Sequence, residues 1–169
     1  MCYEYDRLTR GQIARQIANL ILQAAKEGYL LPRRAKDIRK AIYFETGHYW
    51  LDEADEHVIC YAETIEHPTC FVLRSVIVAP DFRKNGLFQA IVMTAIKAAW
   101  RINSAKPVVL ACQPDLAEKY AKLGFIVQKK ADAPEEVRGG RAYEDWMTCD
   151  REWMMLMLSG SQKEEGFHE

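Results

Sequence analysis

The chain lacks an excess of charge of either sign. Lys and Arg total 23 against 24 Asp and Glu over 169 residues, a net charge of −1. A protein whose main work is to coat phosphate backbone carries a basic balance, so that class is excluded while a local basic patch stays open. Long hydrophobic runs are also missing. The longest uncharged, mostly apolar stretch, Gly86 to Ile96, falls short of the ~20 residues a membrane span needs. The start, Met1-Cys2-Tyr3-Glu4-Tyr5-Asp6, is acidic and is followed by no apolar signal region, so the expected location is cytoplasmic. Paired cysteines are absent too. Cys2, Cys60, Cys70, Cys112 and Cys149 are odd in number and scattered, which predicts reduced thiols and no metal site.

What is present is enough apolar material for one core: 49% hydrophobic residues beside 28% charged ones. No repeat or linker interrupts the chain, so residues 1–158 are expected to form a single domain, with 159–169 as a disordered tail. Cys2–Leu8 is a candidate first strand. Thr9 followed by Gln12 fits a capping box, and Ile13, Ile17, Leu20, Ile21 and Ala24 recur at helical spacing until Gly28. Pro32 marks a loop, and Ala35 to Phe44 reads as a second helix. His48–Leu51 and His57–Ile65 flank an acidic turn as a hairpin, and Cys70–Val78 supplies a third strand. A long helix follows over about Leu87–Asn103. Pro107–Ala111 reads as a strand, Asp115–Leu123 as a helix and Phe125–Gln128 as a strand. A polar loop, Lys130–Asp145, then leads to a last apolar run, Trp153–Leu158, which supplies the final strand. The pattern is α+β with one mixed sheet.

The segment Val76-Ile77-Val78-Ala79-Pro80-Asp81-Phe82-Arg83-Lys84-Asn85-Gly86-Leu87-Phe88 carries the chemistry. A strand ends, a loop with Arg and Gly follows, and a helix begins. The first turn of a helix leaves N–H groups unsatisfied and partly positive, and a glycine lets a ligand approach its backbone. That is an anion site apt for a pyrophosphate. A plain strand–loop–helix crossover is the alternative.

These residues resemble the GCN5-related N-acetyltransferase superfamily, whose motif is a strand ending V-x-P and then [QR]-x-x-G-x-[GA]. Val78-Ala79-Pro80 and Arg83-Lys84-Asn85-Gly86-Leu87-Phe88 match it except at Phe88, where Gly or Ala is usual. The resemblance implies an α+β, sandwich-like fold in which about four helices flank a mixed, mostly antiparallel sheet. It implies that amides from Arg83 to Phe88, including Lys84, Asn85, Gly86 and Leu87, hold the pyrophosphate of acetyl-CoA. It also implies that Ile77 and Val78 pair with the pantetheine arm. Ala117-Glu118-Lys119-Tyr120-Ala121-Lys122-Leu123-Gly124-Phe125 looks like the family's helix with a tyrosine four residues before Gly-Phe. On that resemblance Tyr120 protonates the departing thiolate, a task a neutral phenol can perform.

Within the superfamily the chain is similar to the acetyltransferase domain of N-acetylglutamate synthases. Leu30-Leu31-Pro32-Arg33-Arg34, Leu73-Arg74-Ser75-Val76-Ile77-Val78 and Gln113-Pro114-Asp115 carry that likeness. Val72 stands where a glutamate is often found, and the kinase domain of the larger synthases is absent. The resemblance implies that Arg33, with Arg74 and Ser75, binds the acceptor, a guanidinium fork being well shaped for a carboxylate. Glu63, in phase with Tyr61 and Ile65, is the candidate general base, with Glu66 and His67 as alternatives. Cys112 reads as a buried thiol. The expected reaction is acetyl transfer to the primary amine of a small molecule such as glutamate, without nucleic-acid or membrane partners. Loop Lys130–Asp145 can cover an acceptor site or join a homodimer. A non-catalytic CoA-binding module and an acetyltransferase acting on protein or nucleic acid are the other readings.

Overall fold

A computed structural model describes residues 8–52, 54, 56–128, 145–152 and 154–155. Thr9 opens helix α1 (Arg10–Lys26) with a complete capping box. Its Oγ1 accepts from the Gln12 amide at 3.3 Å while the Thr9 amide donates to Gln12 Oε1 at 2.8 Å. Two otherwise orphaned donors are thereby satisfied, a feature worth about 1 kcal/mol. The helix ends where the Gly28 and Tyr29 amides donate to the carbonyls of Ala25 and Ala24. Helix α2 (Ala35–Tyr43), strand β1 (Gly47–Asp52), strand β2 (His57–Glu66) and strand β3 (Phe71–Val78) follow. A 3-10 turn (Pro80–Phe82) then leads to helix α3 (Leu87–Ile102). Strand β4 (Val108–Cys112), helix α4 (Pro114–Ala121), strand β5 (Ile126–Gln128) and strand β6 (Asp145–Cys149) complete the described elements. Four helices and a six-stranded mixed sheet, in the order β1-β2-β3-β4-β6-β5, confirm the expected fold class.

The chain divides into two compact units. The first comprises the chain up to Ile65 together with Leu73–Lys97. Its core follows from α1, whose Ile13, Ala14, Ile17, Ile21 and Ala24 form one stripe. They cluster with Ile38 and Ile42 of α2, Val58 and Tyr61 of β2, and Ile77 of β3. Truncating one of these buried isoleucines to alanine costs about 2–5 kcal/mol. Strands β1 and β2 pair antiparallel, Gly47 opposite Glu63 and Tyr49 opposite Tyr61, with an irregularity between Trp50 and Leu51.

The second unit comprises Glu66–Val72 and the chain from Ala98 onward. Here the start of β3 pairs parallel with β4, Phe71 opposite Val108 and Val72 opposite Val109. Strand β6 runs antiparallel to both β4 and β5. Cys70, Val109 and Trp146 form a small buried cluster with Val72 and Ala111 against it.

Most elements fall within a residue or two of the sequence reading. The final strand is the correction. It is Asp145–Cys149, not Trp153–Leu158, and the described residues 151–152 and 154–155 are helical. Trp146, Met147 and Cys149 are buried, so the strand gains its place by burial against β4 and β5. Expectations for residues 2–7, 130–144 and 159–169 lie outside the described residues.

Candidate active site

In the first unit the chain leaves β3 through Ala79, whose amide donates to Ile59 O at 2.8 Å, and turns over Pro80–Phe82. The Arg83 amide closes that turn onto Pro80 O at 3.2 Å, and its Nε reaches Val78 O at 3.4 Å. Arg83 is thus engaged with its own turn. Lys84 and Gly86 then take positive φ, 71° and 74°. A non-glycine residue in this region carries strain, and such residues gather at binding loops. Gly86 has no atom within 4 Å of where a Cβ would stand, so its backbone faces open space. Helix α3 begins immediately after, with no acidic side chain in its first turn. The loop, with Lys84 and Asn85 exposed, therefore has the fixed amides, positive dipole end and clearance that a pyrophosphate requires. Ile77 and Val78, just before it, are buried.

Also in the first unit, four sequence candidates meet in one cluster: Arg33 and Arg74 on the Glu63 carboxylate, and Ser75 on Arg33. Glu63 is buried on β2, its side chain 4% exposed. Arg33, in the loop before α2, donates from Nη1 to Glu63 Oε2 at 2.8 Å and to Ser75 Oγ at 3.2 Å. Arg74, on β3, donates from Nη2 to Glu63 Oε1 at 3.0 Å. Ser75 has a φ of 55° inside the strand, which places its hydroxyl beside Arg33 while Arg74 stays at the surface. Two guanidinium groups against one carboxylate leave a net charge of +1. Arg74 is 42% exposed, so this positive charge opens to solvent on its side.

Sequence reasoning missed two residues of this cluster. Tyr61 donates its hydroxyl to Glu63 Oε2 at 3.3 Å. Burial, reinforced by Glu63, pushes its phenol well above the ordinary tyrosine range, so it stays a donor. Gly47 leaves the space Tyr61 fills: a Cβ there would lie 2.9 Å from Tyr61 Oη and 3.0 Å from its Cε2. The phase shared by Tyr61 and Glu63 was visible as an i, i+2 pair on one strand. The glycine across the strand pair carried no such signal.

The remaining candidates lie in the second unit. Tyr120, on α4, is 6% exposed and its ring meets Phe125 edge-on at 5.7 Å. Burial, with a smaller contribution from Cys112, holds its phenol protonated. Cys112 Sγ lies 3.8 Å from Met147 Sδ in a buried pair. Glu66 pairs with Lys106 at 2.7 Å, and the His67 carbonyl accepts from the same ammonium at 2.8 Å. The Glu66 carboxylate and the His67 backbone carbonyl thus share one lysine, which also sits over the Phe71 ring.

The profile of the acetyltransferase (GNAT) family matches residues 14–125, two thirds of the chain. The chain belongs to the acetyltransferase (GNAT) family. This GNAT acetyltransferase resembles the N-acetylglutamate synthase of Neisseria gonorrhoeae, solved with coenzyme A and N-acetyl-glutamate, with a TM-score of 0.70 and 19% identity. That likeness covers 80% of this chain but only 32% of the synthase. A Mycobacterium tuberculosis protein solved with CoA gives 0.69 at 16% identity over 85% of this chain and 97% of its own. A Staphylococcus aureus GNAT acetyltransferase gives 0.66 at 14% over 87% and 96%. At these identities the likeness is one of fold. No curated protein matches the sequence. Among the described residues no helix is long and apolar enough to cross a membrane.

Proposed function

We propose that this GNAT enzyme transfers the acetyl group of acetyl-CoA to the primary amine of a small, carboxylate-bearing molecule, with residues 1–158 working as one acetyltransferase domain. The observation that carries the donor half is the Lys84–Gly86 turn, left-handed at both ends and open above Gly86, directly ahead of a 16-residue helix. Leu87, Phe88 and the backbone before them hold the pyrophosphate, Lys84 adds positive charge, and Ile77 and Val78 align the pantetheine arm. The bound thioester supplies an activated acyl carbon with a thiolate leaving group. Arg33, Arg74 and Ser75 hold the acceptor's carboxylate, because their cluster retains one unbalanced positive charge on its open side. The acceptor amine loses its proton to water and attacks the acyl carbon, forming the C–N bond as the C–S bond breaks. Tyr120 gives its proton to the departing sulfur and regains one from solvent. N-Acetyl-glutamate bound to the gonococcal synthase supports an amino acid of this kind as the acceptor.

Thiol release from acetyl-CoA with L-glutamate, its dimethyl ester and a simple diamine tests this. Turnover is expected with a free carboxylate and to fall when the carboxylates are esterified. Equal turnover of the ester would refute the arginine seat. Binding of acetyl-CoA, read as a thermal shift, without thiol release from any amine would mark a non-catalytic CoA module.

A further inference from the structure

Glu63 poses a question that its place in the site does not answer. It is among the most buried charged residues described, 3% exposed, yet it receives three donors: Arg33 and Tyr61 on Oε2, Arg74 on Oε1. A general base needs a lone pair directed at the proton it takes. Here three of the carboxylate's roughly four lone-pair directions are taken, two of them by cations. Such a carboxylate orients its partners instead.

We infer that Glu63 is a positioning residue whose carboxylate is set by the Tyr61 hydroxyl, and that Gly47 gives that hydroxyl its place. Through Glu63 this pair fixes the directions of Arg33 and Arg74. The chain of contacts is continuous. Gly47 lies opposite Glu63 in the β1–β2 register. Tyr61 precedes Glu63 by two residues on the same face of β2. Its ring is fully buried, and its hydroxyl end occupies the volume a Gly47 side chain would take. That same Cβ would come within 3.2 Å of Ala41 Cβ, so α2 closes the other way out. A side chain at position 47 forces a shift, and the nearest atoms to give way are those of the Tyr61 ring end that meets Glu63. With Tyr61 in place, Oε2 is shared between a neutral donor and Arg33, and Arg33 is steered to Ser75 as well. Without it, Arg33 and Arg74 are left as the carboxylate's only holders, both on flexible side chains, and the geometry of both guanidiniums loosens. A neutral hydroxyl fits the task because it fixes the carboxylate without adding charge, leaving the net +1 of the two arginines and Glu63 for a ligand anion.

This inference rests on the proposed carboxylate seat, and two readouts keep their failures apart. The first needs no acceptor: nitrogen NMR of the arginine side chains in the intact protein. Arg33 and Arg74 should show slowly rotating, dispersed Nη signals in the unsubstituted protein and averaged signals in Tyr61→Phe. The second is steady-state kinetics with L-glutamate and acetyl-CoA. Tyr61→Phe should raise KM for the carboxylate acceptor about tenfold, the scale of one hydrogen bond to a charged group, with kcat and the KM for acetyl-CoA nearly unchanged. Gly47→Ala should reproduce that pattern, and should cost less in a Tyr61→Phe background than alone, since the two act through one contact. Should either variant fold poorly, the NMR comparison on the other decides. Unchanged arginine signals in Tyr61→Phe would overturn the inference. A kcat that falls with an altered pH profile while KM holds would also overturn it, returning Glu63 to proton transfer. Averaged arginine signals together with no turnover of any carboxylate-bearing amine would uphold the positioning role and sink the acceptor reading alone.

Discussion

The first unit is built around a buried charge and the second around buried sulfur and aromatic rings. In the first, an isoleucine-rich core from α1, α2, β2 and β3 includes Tyr61, which donates to the buried Glu63, and every oxygen of that carboxylate is met by a donor. In the second, Tyr120, Cys112, Met147 and Trp146 are buried, and Trp146 Nε1 finds no partner among the described residues. The two cores should fail differently. An ion cluster fails abruptly when one member is lost, because the charge left behind stays buried. A core of rings and thioethers fails in proportion to the volume removed. With its ion cluster the first unit also offers unbalanced charge held in a fixed direction.

Breaking the ion cluster should give the largest effect. Arg33→Met leaves Glu63 with one cation, on its exposed side, and should cost roughly 3 kcal/mol of unfolding free energy by urea titration. A loss below about 1 kcal/mol would show that water replaces the guanidinium and that the cluster is not a structural charge site. In the second unit Tyr120→Phe should leave stability nearly unchanged while turnover falls about a hundredfold, the range of a lost general acid. Unaltered turnover across pH would reject the acid role. A smaller effect separates the regions by pH. Burial, opposed only partly by Glu45, lowers the His48 pKa, and its Nε2 has no partner among the described residues. The unfolded chain therefore takes up a proton near pH 6.5 that the folded one resists, so stability should fall as pH drops below about 6.5. His48→Asn should flatten that slope, and a slope unchanged in the variant would assign it to other groups. Smaller still is the reactivity of one of the second unit's three described thiols, Cys149. Burial, reinforced by Asp150, pushes Cys149 up to about 12, so it should resist alkylation at pH 8 until the protein unfolds. Rapid labelling in the native state would show that β6 opens.

The extent to which the sequence disclosed this molecule differs by feature. Thr9 and Gln12 announced the start of α1 because a capping box is local, made within four residues. The Arg83–Phe88 loop was legible for the same reason. The last strand was not: Asp145-Trp146-Met147-Thr148-Cys149 mixes polar and apolar residues, while the more apolar Trp153–Leu158 drew the eye. Which of the two pairs with β4 depends on partners far away in the chain. Ser75 shows the same limit, since nothing in Leu73-Arg74-Ser75 says that its backbone turns left-handed within β3.

The sequence by itself determined the α+β class, the two opening helices and the glycine-bearing turn ahead of α3, because each rests on spacing within a few residues. It also brought forward Arg33, Glu63, Arg74 and Ser75 as separate candidates. Only the tertiary structure decided that these four meet, that Tyr61 joins them, and that Gly47 is small so that Tyr61 can. The reason is distance along the chain. Arg33 and Glu63 are 30 residues apart, and Arg33 and Ser75 are 42 apart, so their meeting is set by strand register and helix packing, which no local pattern encodes.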